Sequence, residues 1–338
     1  MKAVGYQQSL PISDSQSLQD ISLPVPEASG RDLLVEVRAI SVNPVDTKIR
    51  AKVTPVEGQW KVLGWDAVGV VKEIGPEVTE FSVGERVWYA GDISRPGSNA
   101  QYQLVDERIV GRAPHSLTDA EAAALPLTAI TAWEMLFDRL QVEVGKGANS
   151  KSILVIGAAG GVGSILVQLA RRLTNLTVIG TASRQETKAW LKNLGAHHVI
   201  NHHNPLSEEL AGAGLSEVDY VVSLTNTEDH QAEIVKSIKP QGKFALIDDP
   251  ASLDVIKLKQ KSISLHWEFM FTRSLFETED IRAQHDLLSE LTELIDDGLI
   301  KSTLGQHFGK INAENLRKAH ALIESQAARG KIVLEGFE

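Results

Sequence analysis

The spacing of hydrophobic and polar residues predicts short β-strands in the first third of the chain. Within residues 1–120, LLVEVRAISV (33–42) alternates apolar and polar side chains, as half-buried strands do. GWDAVGVVKEIG (64–75) is apolar, β-branched and punctuated by glycine, and FSVGERVWYAG (81–91) has the form of two strands around a turn at Gly84. Many short strands joined by glycine and proline turns are typical of a small barrel or sandwich.

A different pattern begins at Lys151, where apolar strands alternate with helices. GSILVQLARRL (163–173) is amphipathic, with its large apolar side chains on one helical face. The strand candidates of this region are SILVIG (152–157), LTVIGTA (176–182), HHVIN (197–201), VDYVVSL (218–224) and GKFALID (242–248). This βαβαβ order predicts an α/β fold, a doubly wound parallel sheet with helices on both faces.

Local signals predict where several helices begin. Thr118-x-x-Glu121 has the form of a capping box, in which each residue's side chain accepts a hydrogen bond from the other's backbone N–H. It opens an Ala- and Leu-rich helix, which Pro126 interrupts before helical spacing resumes over 128–140. Two helices separated by a short break are therefore expected here.

Further helix boundaries are predicted downstream. Ser183-x-x-Glu186 has the form of a second capping box, and its helix is expected to stop at Gly195, a residue type suited to the left-handed C-terminal position. The tail contains a helix over 287–300 and another that starts at Asn312, a candidate N-cap. KIVLEGF forms the last predicted strand.

The glycine-rich segment IGAAGGVGS (156–164) lies between an apolar strand and an amphipathic helix, the context of a dinucleotide-binding turn. Its spacing is G-x-x-G-x-x-G, since position 158 is alanine and the strict G-x-G-x-x-G does not hold. Glycine lets the backbone approach a pyrophosphate, and the helix N-terminus supplies N–H groups. The alternative is a tight turn without a ligand. The predicted contacts are Gly157, Ala159, Gly160, Gly161, Val162 and Gly163.

The residues after the second strand of this fold favour NADPH over NADH. An NAD-binding fold usually has Asp or Glu there, to hold the ribose 2′-hydroxyl. Here the strand is followed by Ser183, Arg184 and, one helical turn on, Lys188. A hydroxyl and two cations suit a 2′-phosphate. The alternative is that Ser183 is only an N-cap and the two cations are solvated surface charges.

Composition excludes several function classes. At about 150 residues per domain, 338 residues suggest two domains. The net charge of −10 argues against a nucleic-acid partner. With no cysteine, the chain has no disulfide, iron–sulfur cluster or cysteine-ligated zinc, which fits the reducing cytoplasm. No signal peptide or long apolar span is visible, so we expect a cytoplasmic protein with no membrane segment.

Taken together, these segments resemble the medium-chain dehydrogenase/reductase superfamily, in particular its zinc-independent quinone oxidoreductase branch, which includes the zinc-type alcohol dehydrogenase-like proteins. The resemblance covers nearly the whole chain. It is carried by SVNPVDTKIR (41–50), LGWDAVGVVKEIG (63–75), FSVGERVW (81–88), ALPLTAITAWEML (124–136), ILVIGAAGGVGSILVQLA (153–170), LGAHHVIN (194–201) and GKIVL (330–334).

The resemblance implies a Rossmann domain inserted into a GroES-like β-rich domain made from both chain ends. The implied bounds are 1–123 for the first part of the GroES-like catalytic domain, 124–268 for the NADPH-binding domain and 269–338 for the return. Family members react in the cleft between the two domains. The segment SISLHWEFM (262–270) resembles the edge strand through which members of the family pair, so we expect a homodimer.

Zinc is not expected. Zinc-dependent members bind the metal through cysteine and histidine, at positions that here fall near Asn43 and on Trp65 of Gly64-Trp65-Asp66. Tryptophan is not a zinc ligand, and two aspartates alone do not complete a catalytic site. The resemblance therefore implies hydride transfer from NADPH to a quinone or an α,β-unsaturated carbonyl. The rival hypotheses are a non-catalytic NADPH-binding sensor or structural protein, and a zinc-type alcohol dehydrogenase.

The resemblance also implies site residues, each with a structural alternative. Asn43 and Asp46 would face the nicotinamide, or else form a turn and an N-cap. Trp65 would form an apolar wall, or be a core residue; Thr128 would touch the cofactor, or cap a helix. Tyr89 is a candidate proton donor, or a buried strand residue. Further cofactor contacts are implied at His202, Leu224, Thr225, Ile247, Asp248, Phe269, Met270 and Lys331.

Overall fold

The computed structural model describes residues 1–145, 147 and 151–337. The chain divides into two compact units. The first unit consists of Met1–Ile130 and Phe271–Glu338, and the second unit is Thr131–Met270. The predicted bounds 1–123, 124–268 and 269–338 stay a prediction.

The strands, in chain order, are β1 Lys2–Tyr6, β2 Gln19–Ser22, β3 Asp32–Val42, β4 Lys61–Val62, β5 Ala67–Ile74, β6 Arg86–Tyr89, β7 Tyr102–Asp106, β8 Val110–Arg112, β9 Ser152–Ile156, β10 Thr177–Thr181, β11 His198–Ile200, β12 Val218–Ser223, β13 Ile238–Leu246, β14 Ser264–Trp267, β15 Leu304–His307 and β16 Lys331–Glu335.

The α-helices are α1 Pro44–Lys52, α2 Asp119–Ala123, α3 Pro126–Trp133, α4 Gly161–Leu173, α5 Gln185–Leu194, α6 Leu206–Gly212, α7 Thr227–Ser237, α8 Thr272–Leu275, α9 Ala283–Asp296 and α10 Ala313–Glu324. Short 3₁₀ turns occupy Glu107–Ile109 and Val255–Lys261, and a π-helix occupies Glu134–Arg139. None of the helices in the described part of the chain has the length and apolar character needed to cross a membrane.

The first unit is built around β3. This strand pairs antiparallel with β16, β5 and β7 in a seven-stranded sheet, and β1 joins β2 and β4 in a smaller sheet. The prediction of two strands around Gly84 was wrong in its first half, because the residues before Gly84 form a turn and only Arg86–Tyr89 pairs with β5 and β8. Gly84 has a φ of +94°, which favours glycine.

The second unit contains the predicted parallel sheet, so the predicted α/β class is confirmed. Its six strands lie in the order β11-β10-β9-β12-β13-β14, and every neighbouring pair is parallel. The strand order reverses direction between β9 and β12. In sheets of this kind, ligands bind beyond the carboxyl ends of the strands at that reversal.

Most predicted helix ends are confirmed. Thr118 and Glu121 form the capping box, with each side chain accepting a hydrogen bond from the other's backbone N–H. The helix breaks before Pro126 as expected, although beyond Trp133 it continues as the π-helix. Gly195 ends α5 with a φ of +107°, and the Asn312 side chain accepts a hydrogen bond from the N–H of Asn315 at the start of α10.

Two boundary predictions need correction. The capping box at Ser183 does not form, because α5 begins at Gln185 and the Glu186 carboxylate pairs with the Arg184 guanidinium at 3.2 Å instead. The helix predicted over 287–300 begins earlier, at Ala283, and ends at Asp296. Its end precedes Gly298, whose φ of +73° is incompatible with continuing the helix.

Candidate functional site

The glycine-rich turn joins β9 to α4, and its glycines have distinct steric roles. Gly157 follows the strand with a φ of +79°, and its N–H donates to the hydroxyl of Thr181 at 3.1 Å. Gly160 is the N-cap of α4. A Cβ on Gly163 would lie 2.4 Å from the carbonyl oxygen of Ala158, so only glycine lets the helix pack this closely on the turn.

The turn fits the pyrophosphate of a dinucleotide. Gly157, Ala159, Gly160, Gly161 and Val162 are all half-exposed, whereas Gly163 is buried beneath them. The first N–H groups of a helix have no acceptor within the helix and carry a partial positive charge. The start of α4 therefore presents accessible backbone donors to an anion at the carboxyl ends of the parallel strands.

Four predicted cofactor contacts follow the neighbouring strands β12 and β13, and the two that follow β12 lie close to the glycine turn. The Leu224 N–H donates to the carbonyl of Ile156 at 3.1 Å, and a Cβ on Gly157 would lie 3.0 Å from Cγ2 of Thr225. After β13, Ile247 and Asp248 are half-exposed. The Asp248 carboxylate accepts hydrogen bonds from the N–H and the hydroxyl of Thr227, so it caps α7, a role that the sequence analysis missed.

The predicted 2′-phosphate residues lie at neighbouring strand ends. In the parallel pairing of β10 and β11, Thr181 lies opposite Ile200, so Ser183 and His202 each follow the paired end of their strand by two residues. Arg184 is exposed, and Ser183 and Lys188 are half-exposed. Glu186, which pairs with Arg184, is itself 58% exposed, and such surface pairs hold their cations weakly.

His202 belongs to a cluster of three imidazoles. Its ring centroid lies 4.5 Å from that of His203 and 6.5 Å from that of His230, which is on α7. Partial burial lowers the pKa of His202, and the two neighbouring imidazoles lower it further. His230 was not predicted here, because the sequence contains no signal that α7 lies beside the end of β11.

The first unit places two of the predicted site residues, Asn43 and Lys331, in one buried cluster around an ion pair. Lys331 and Asp66 are both buried, with the ammonium nitrogen 2.9 Å from Oδ2 of Asp66. The Asn43 side chain links them, because its Oδ1 accepts a hydrogen bond from Lys331 and its Nδ2 donates to Oδ2 of Asp66 at 2.8 Å. Asp66 also accepts from the Ser41 hydroxyl at 2.7 Å and from the Leu127 N–H at 2.7 Å.

Asp46 lies beside this cluster at the start of α1. Its Oδ2 accepts a hydrogen bond from the Asn43 N–H at 2.8 Å, which makes it part of the helix cap. Burial raises the pKa of Asp46 to about 7, against the opposing effects of the Asn43 N–H and the Lys331 ammonium. Its carboxyl therefore changes protonation near neutral pH.

Three predicted site residues have core environments. Trp65 is fully buried, its Nε1–H donates to the Asp92 carbonyl at 3.2 Å, and its ring meets Phe271 edge-on. Thr128 is not the helix cap considered as its alternative: it lies within α3, and its hydroxyl donates to the Leu125 carbonyl at 3.0 Å. Tyr89 is fully buried, and burial raises the pKa of its phenol far above the ordinary value.

The remaining predicted cofactor contacts differ in exposure. Phe269 is 46% exposed, whereas Met270 is buried. Lys331 is buried with its ammonium held by the Val42 carbonyl at 3.3 Å as well as by Asn43 and Asp66. Within the described ranges, no three histidine or carboxylate side chains are grouped so as to hold a metal ion.

The sequence matches two family models. Residues 29–115 match the alcohol dehydrogenase GroES-like domain, and residues 194–334 match a zinc-binding dehydrogenase model. The chain is 42% identical over 339 residues to a zinc-type alcohol dehydrogenase-like protein of Staphylococcus aureus (strain Mu50 / ATCC 700699), covering 99% of both chains. It is 28% identical over 326 residues to 2-methylene-furan-3-one reductase of Solanum lycopersicum, covering 92% of this chain and 73% of the relative.

Solved structures are also similar. A protein from Rhizobium etli CFN 42, named as a candidate zinc-dependent alcohol dehydrogenase, shares 55% identity with a TM-score of 0.96, covering 100% of this chain and 98% of the other. A mycobacterial protein solved in complex with NADPH shares 26% identity with a TM-score of 0.83, covering 99% of this chain and 100% of the other.

Proposed function

This chain belongs to the medium-chain dehydrogenase/reductase superfamily, whose members are oxidoreductases that use a nicotinamide cofactor, and on that premise we propose that it is an NADPH-dependent reductase of quinones or α,β-unsaturated carbonyls. Its fold is the expected one, a Rossmann sheet with a GroES-like domain. When bound, the cofactor supplies a hydride. The protein's own residues must bind it, orient it and keep the substrate beside it.

The observation that carries this proposal is the turn between β9 and α4. A Cβ on Gly163 would collide with the Ala158 backbone, whereas Gly157 and residues 159–162 are half-exposed at the carboxyl ends of the strands. A purely structural turn has no need to expose helix N–H groups at that edge of the sheet. A pyrophosphate needs both the close approach and the donors.

The choice of NADPH rests on the residues beyond β10 and β11. Ser183, Arg184, Lys188 and His202 offer a hydroxyl, two cations and an imidazole, and no carboxylate follows β10 directly. These groups suit a 2′-phosphate, and an acid that would hold the ribose 2′-hydroxyl of NAD is missing from this segment. The mycobacterial relative solved with NADPH supports the same choice.

The substrate class follows from the donor set of the first unit. At the positions where zinc-dependent members use cysteine and histidine, this chain has Asn43 and Trp65, and both are engaged in hydrogen bonds of the buried cluster or core. These residues do not fit a catalytic zinc. Hydride addition to a conjugated carbonyl needs no Lewis acid, because the charge moves to an enolate oxygen that hydrogen bonds can hold. The tomato relative named as a reductase of such a substrate supports this class.

We assign Asn43, Asp46 and Lys331 a positioning role. Asn43 and Lys331 bind Asp66, and Oδ2 of Asp46 accepts a hydrogen bond from the Asn43 N–H at the start of α1, so these side chains fix the loop around Asn43. Trp65, Thr128 and Tyr89 stay predictions as site residues. In the overall reaction, NADPH, a proton and the unsaturated carbonyl give NADP⁺ and the saturated carbonyl.

The decisive experiment is cofactor oxidation by the purified protein, followed with NADPH and with NADH against a panel of quinones and enones. We expect turnover with NADPH on at least one member of the panel. Tight NADPH binding without turnover on any of them would favour the non-catalytic sensor instead. Stoichiometric bound zinc together with oxidation of simple alcohols would establish the zinc-type alcohol dehydrogenase.

A homodimer is also proposed, through the edge strand β14. This strand has only β13 as a partner within the described part of the chain, and Trp267 and Phe269 at its end are 53% and 46% exposed. An open strand edge with exposed aromatic side chains favours pairing with a second copy of the same strand.

A further inference from the structure

Two helices of the second unit are joined by a side-chain hydrogen bond close to the glycine turn. Trp190 is a half-buried residue of α5, and its Nε1–H donates to Oγ of Ser164 at 2.8 Å. Ser164 is fully buried, and it lies one residue after Gly163 in the first turn of α4. The indole and the hydroxyl therefore bind α5 to the end of α4 at which the pyrophosphate is proposed to lie.

The hydroxyl of Ser164 is directed at the glycine turn. It accepts the Trp190 N–H and donates to the carbonyl of Ala159, a half-exposed residue of the turn, over a long 3.5 Å. A serine hydroxyl within a helix otherwise bonds to the carbonyl four residues back, which here is that of Gly160. A hydroxyl has one proton and two lone pairs, so the indole N–H can occupy the oxygen while the proton binds the turn.

The peptide group between Ala159 and Gly160 is held at both of its polar atoms. The Ala159 carbonyl accepts from Ser164, and the Gly160 N–H donates to the carbonyl of Gly157 at 3.1 Å. Because a peptide group is planar, the two bonds fix one and the same orientation. In that orientation the Ala159 oxygen points to Ser164 on α4. A carbonyl oxygen turned towards a bound anion would repel it, so the observed orientation favours a pyrophosphate.

A second contact between α5 and the turn runs through Gly180 of β10. A Cβ on Gly180 would lie 2.9 Å from Cβ of Ala158 and 3.0 Å from Cδ1 of Leu191. Both of these neighbours are fully buried. The missing side chain at Gly180 lets the turn and α5 approach the same point of the strand. The adjacent residues Trp190 and Leu191 therefore both bear on the turn, one through a hydrogen bond and the other through packing.

The same helix carries two of the residues predicted to bind the 2′-phosphate. Arg184 is the N-cap of α5, and the Lys188 N–H donates to the Arg184 carbonyl at 3.0 Å. Both residues precede Trp190 within one short, continuously hydrogen-bonded helix, so their positions depend on how that helix is fixed. The contacts of Trp190 and Leu191 therefore relate the proposed 2′-phosphate site to the proposed pyrophosphate site.

We propose that Trp190 is a positioning residue for the dinucleotide, which acts through the Ser164 hydroxyl to hold the glycine turn in the orientation that binds a pyrophosphate. This inference rests on the proposed NADPH-dependent function. Without the indole N–H, the Ser164 hydroxyl can rotate to the Gly160 carbonyl and release that of Ala159. The turn then has to be ordered by the ligand itself, which costs affinity. The adenosine end keeps its site, because Leu191 still packs α5 against β10.

The test compares the wild-type protein with Trp190→Phe, which keeps an aromatic ring and removes the indole N–H. The probes are NADPH and adenosine 2′-monophosphate, because the second contains the 2′-phosphate but no pyrophosphate. We expect the Kd for NADPH to rise about three- to tenfold, the range that one hydrogen bond supplies, and the Kd for adenosine 2′-monophosphate to stay at the wild-type value. In steady-state assays, KM for NADPH should rise while kcat stays unchanged. An equal loss with both probes would make Trp190 a general support of α5, and that result, like an unchanged Kd for NADPH, overturns the proposal.

A double-mutant cycle with Ser164→Ala identifies the hydroxyl as the route. The two single variants and the double variant should weaken NADPH binding by about the same factor, because each breaks the same chain of hydrogen bonds. Single effects that multiply in the double variant would mean that Trp190 acts independently of Ser164, against the proposal. Trp133→Phe is the matched control, the same change at a half-buried tryptophan of the same unit, whose ring packs edge-on against Phe137. It should keep the wild-type Kd.

A further measurement does not depend on the cofactor. Hydrogen exchange over residues 157–164 is compared between wild type and Trp190→Phe without any nucleotide. We expect the variant to exchange several-fold faster over this segment and to match the wild type over 218–223, the strand β12. Equal exchange over 157–164 overturns the positioning role. A wild-type protein that binds neither NADPH nor NADH overturns the proposed function instead, and the exchange result still decides whether Trp190 holds the turn.

Discussion

The ammonium nitrogen of Lys331 lies 2.9 Å from Oδ2 of Asp66, and the two residues are 265 positions apart in the chain. The Lys331 side chain is 3% exposed and that of Asp66 is fully buried. The pair joins the last strand, β16, to the residues just before β5, and Asn43 is bound to both charges. The start of α1 is thus tied to an ion pair rather than to a flexible loop.

Removing the cation should destabilise the first unit strongly. Lys331→Met leaves the Asp66 carboxylate buried without its partner, which costs about 3–5 kcal/mol of unfolding free energy. Lys318→Met is the control, because Lys318 pairs with Glu314 on the exposed face of α10 and its loss should cost about 0.5 kcal/mol or less. Denaturant unfolding measures both. Equal losses of unfolding free energy in the two variants would show that the buried pair contributes no more to stability than an exposed one. Adding Asp66→Asn to Lys331→Met should restore part of the stability.

Alanine substitutions at two glycines of the turn should have different effects, one on the stability of the fold and the other on the affinity for NADPH. Gly163→Ala places a methyl group 2.4 Å from the Ala158 carbonyl oxygen, so we expect a loss of about 1–3 kcal/mol in unfolding free energy. At Gly160 the nearest atom to a new Cβ is the Gly157 oxygen at 3.4 Å, an ordinary contact. Gly160→Ala should therefore fold normally and yet raise the Kd for NADPH about tenfold, since the methyl group stands where the pyrophosphate approaches. Unchanged affinity in a folded Gly160→Ala protein would argue against this turn as the pyrophosphate site.

Arg184 should decide the cofactor preference. Arg184→Asp places a carboxylate where an NAD-binding fold has one and removes a cation from the 2′-phosphate. We expect the ratio of kcat/KM for NADPH to that for NADH to fall by about tenfold or more. Arg172→Asp, the same charge change on the exposed end of α4, is the matched control. If both variants keep the wild-type ratio, the phosphate is bound elsewhere.

His320 should make stability depend on acid pH. It is fully buried beside Arg50, and burial with that cation lowers the pKa of His320 to about 3. The unfolded chain takes up a proton near pH 6.5 and the folded one does not, so folding loses stability as the pH falls from about 6.5 towards 3, by up to about 1.4 kcal/mol per pH unit. His320→Leu removes this dependence. We therefore expect the stability of the variant relative to wild type to rise steadily on acidification in denaturant titrations; a difference independent of pH would contradict the assignment.

Asp46 should give the opposite dependence of stability on pH, because burial raises the pKa of its carboxyl group. With its pKa raised to about 7, the unfolded chain loses the Asp46 proton at lower pH than the folded one. Stability from this group is therefore present below about pH 4 and is lost as the pH rises to about 7. Asp46→Asn should gain on wild type as the pH rises through this window. The same titrations measure it, and a gain in the opposite direction would mean that Asp46 is ionised throughout.

The edge strand β14 should control the oligomeric state. Trp267→Glu puts a charge on the strand end that we propose to pair with a second copy, so we expect the dimer to dissociate at micromolar protein concentration. Phe276→Glu is the control, because Phe276 is 71% exposed and belongs to the first unit, outside the strand. Sedimentation velocity distinguishes the two. A Trp267→Glu protein that stays a dimer would locate the interface elsewhere.

Much of the second unit was accessible from the sequence, because its signals are local or periodic. The glycine turn, the left-handed end at Gly195 and the alternation of apolar strands with amphipathic helices each depend on neighbours within a few residues, as does the capping box at Thr118 in the first unit. The capping box predicted at Ser183 failed for an equally local reason, since α5 begins at Gln185 and Arg184 is its N-cap.

The sequence by itself determined the family, the parallel sheet and the position of the dinucleotide turn, since local backbone conformation and hydrophobic periodicity depend on residues that are close together in the chain. Only the tertiary structure decided which charges are buried together. Lys331 and Asp66 meet across the fold, and their pairing depends on the burial of both partners rather than on their spacing. From the sequence alone, a charged residue is expected to be exposed to solvent. Its structural role, or a shifted pKa, arises only when tertiary packing removes water from around the charged group.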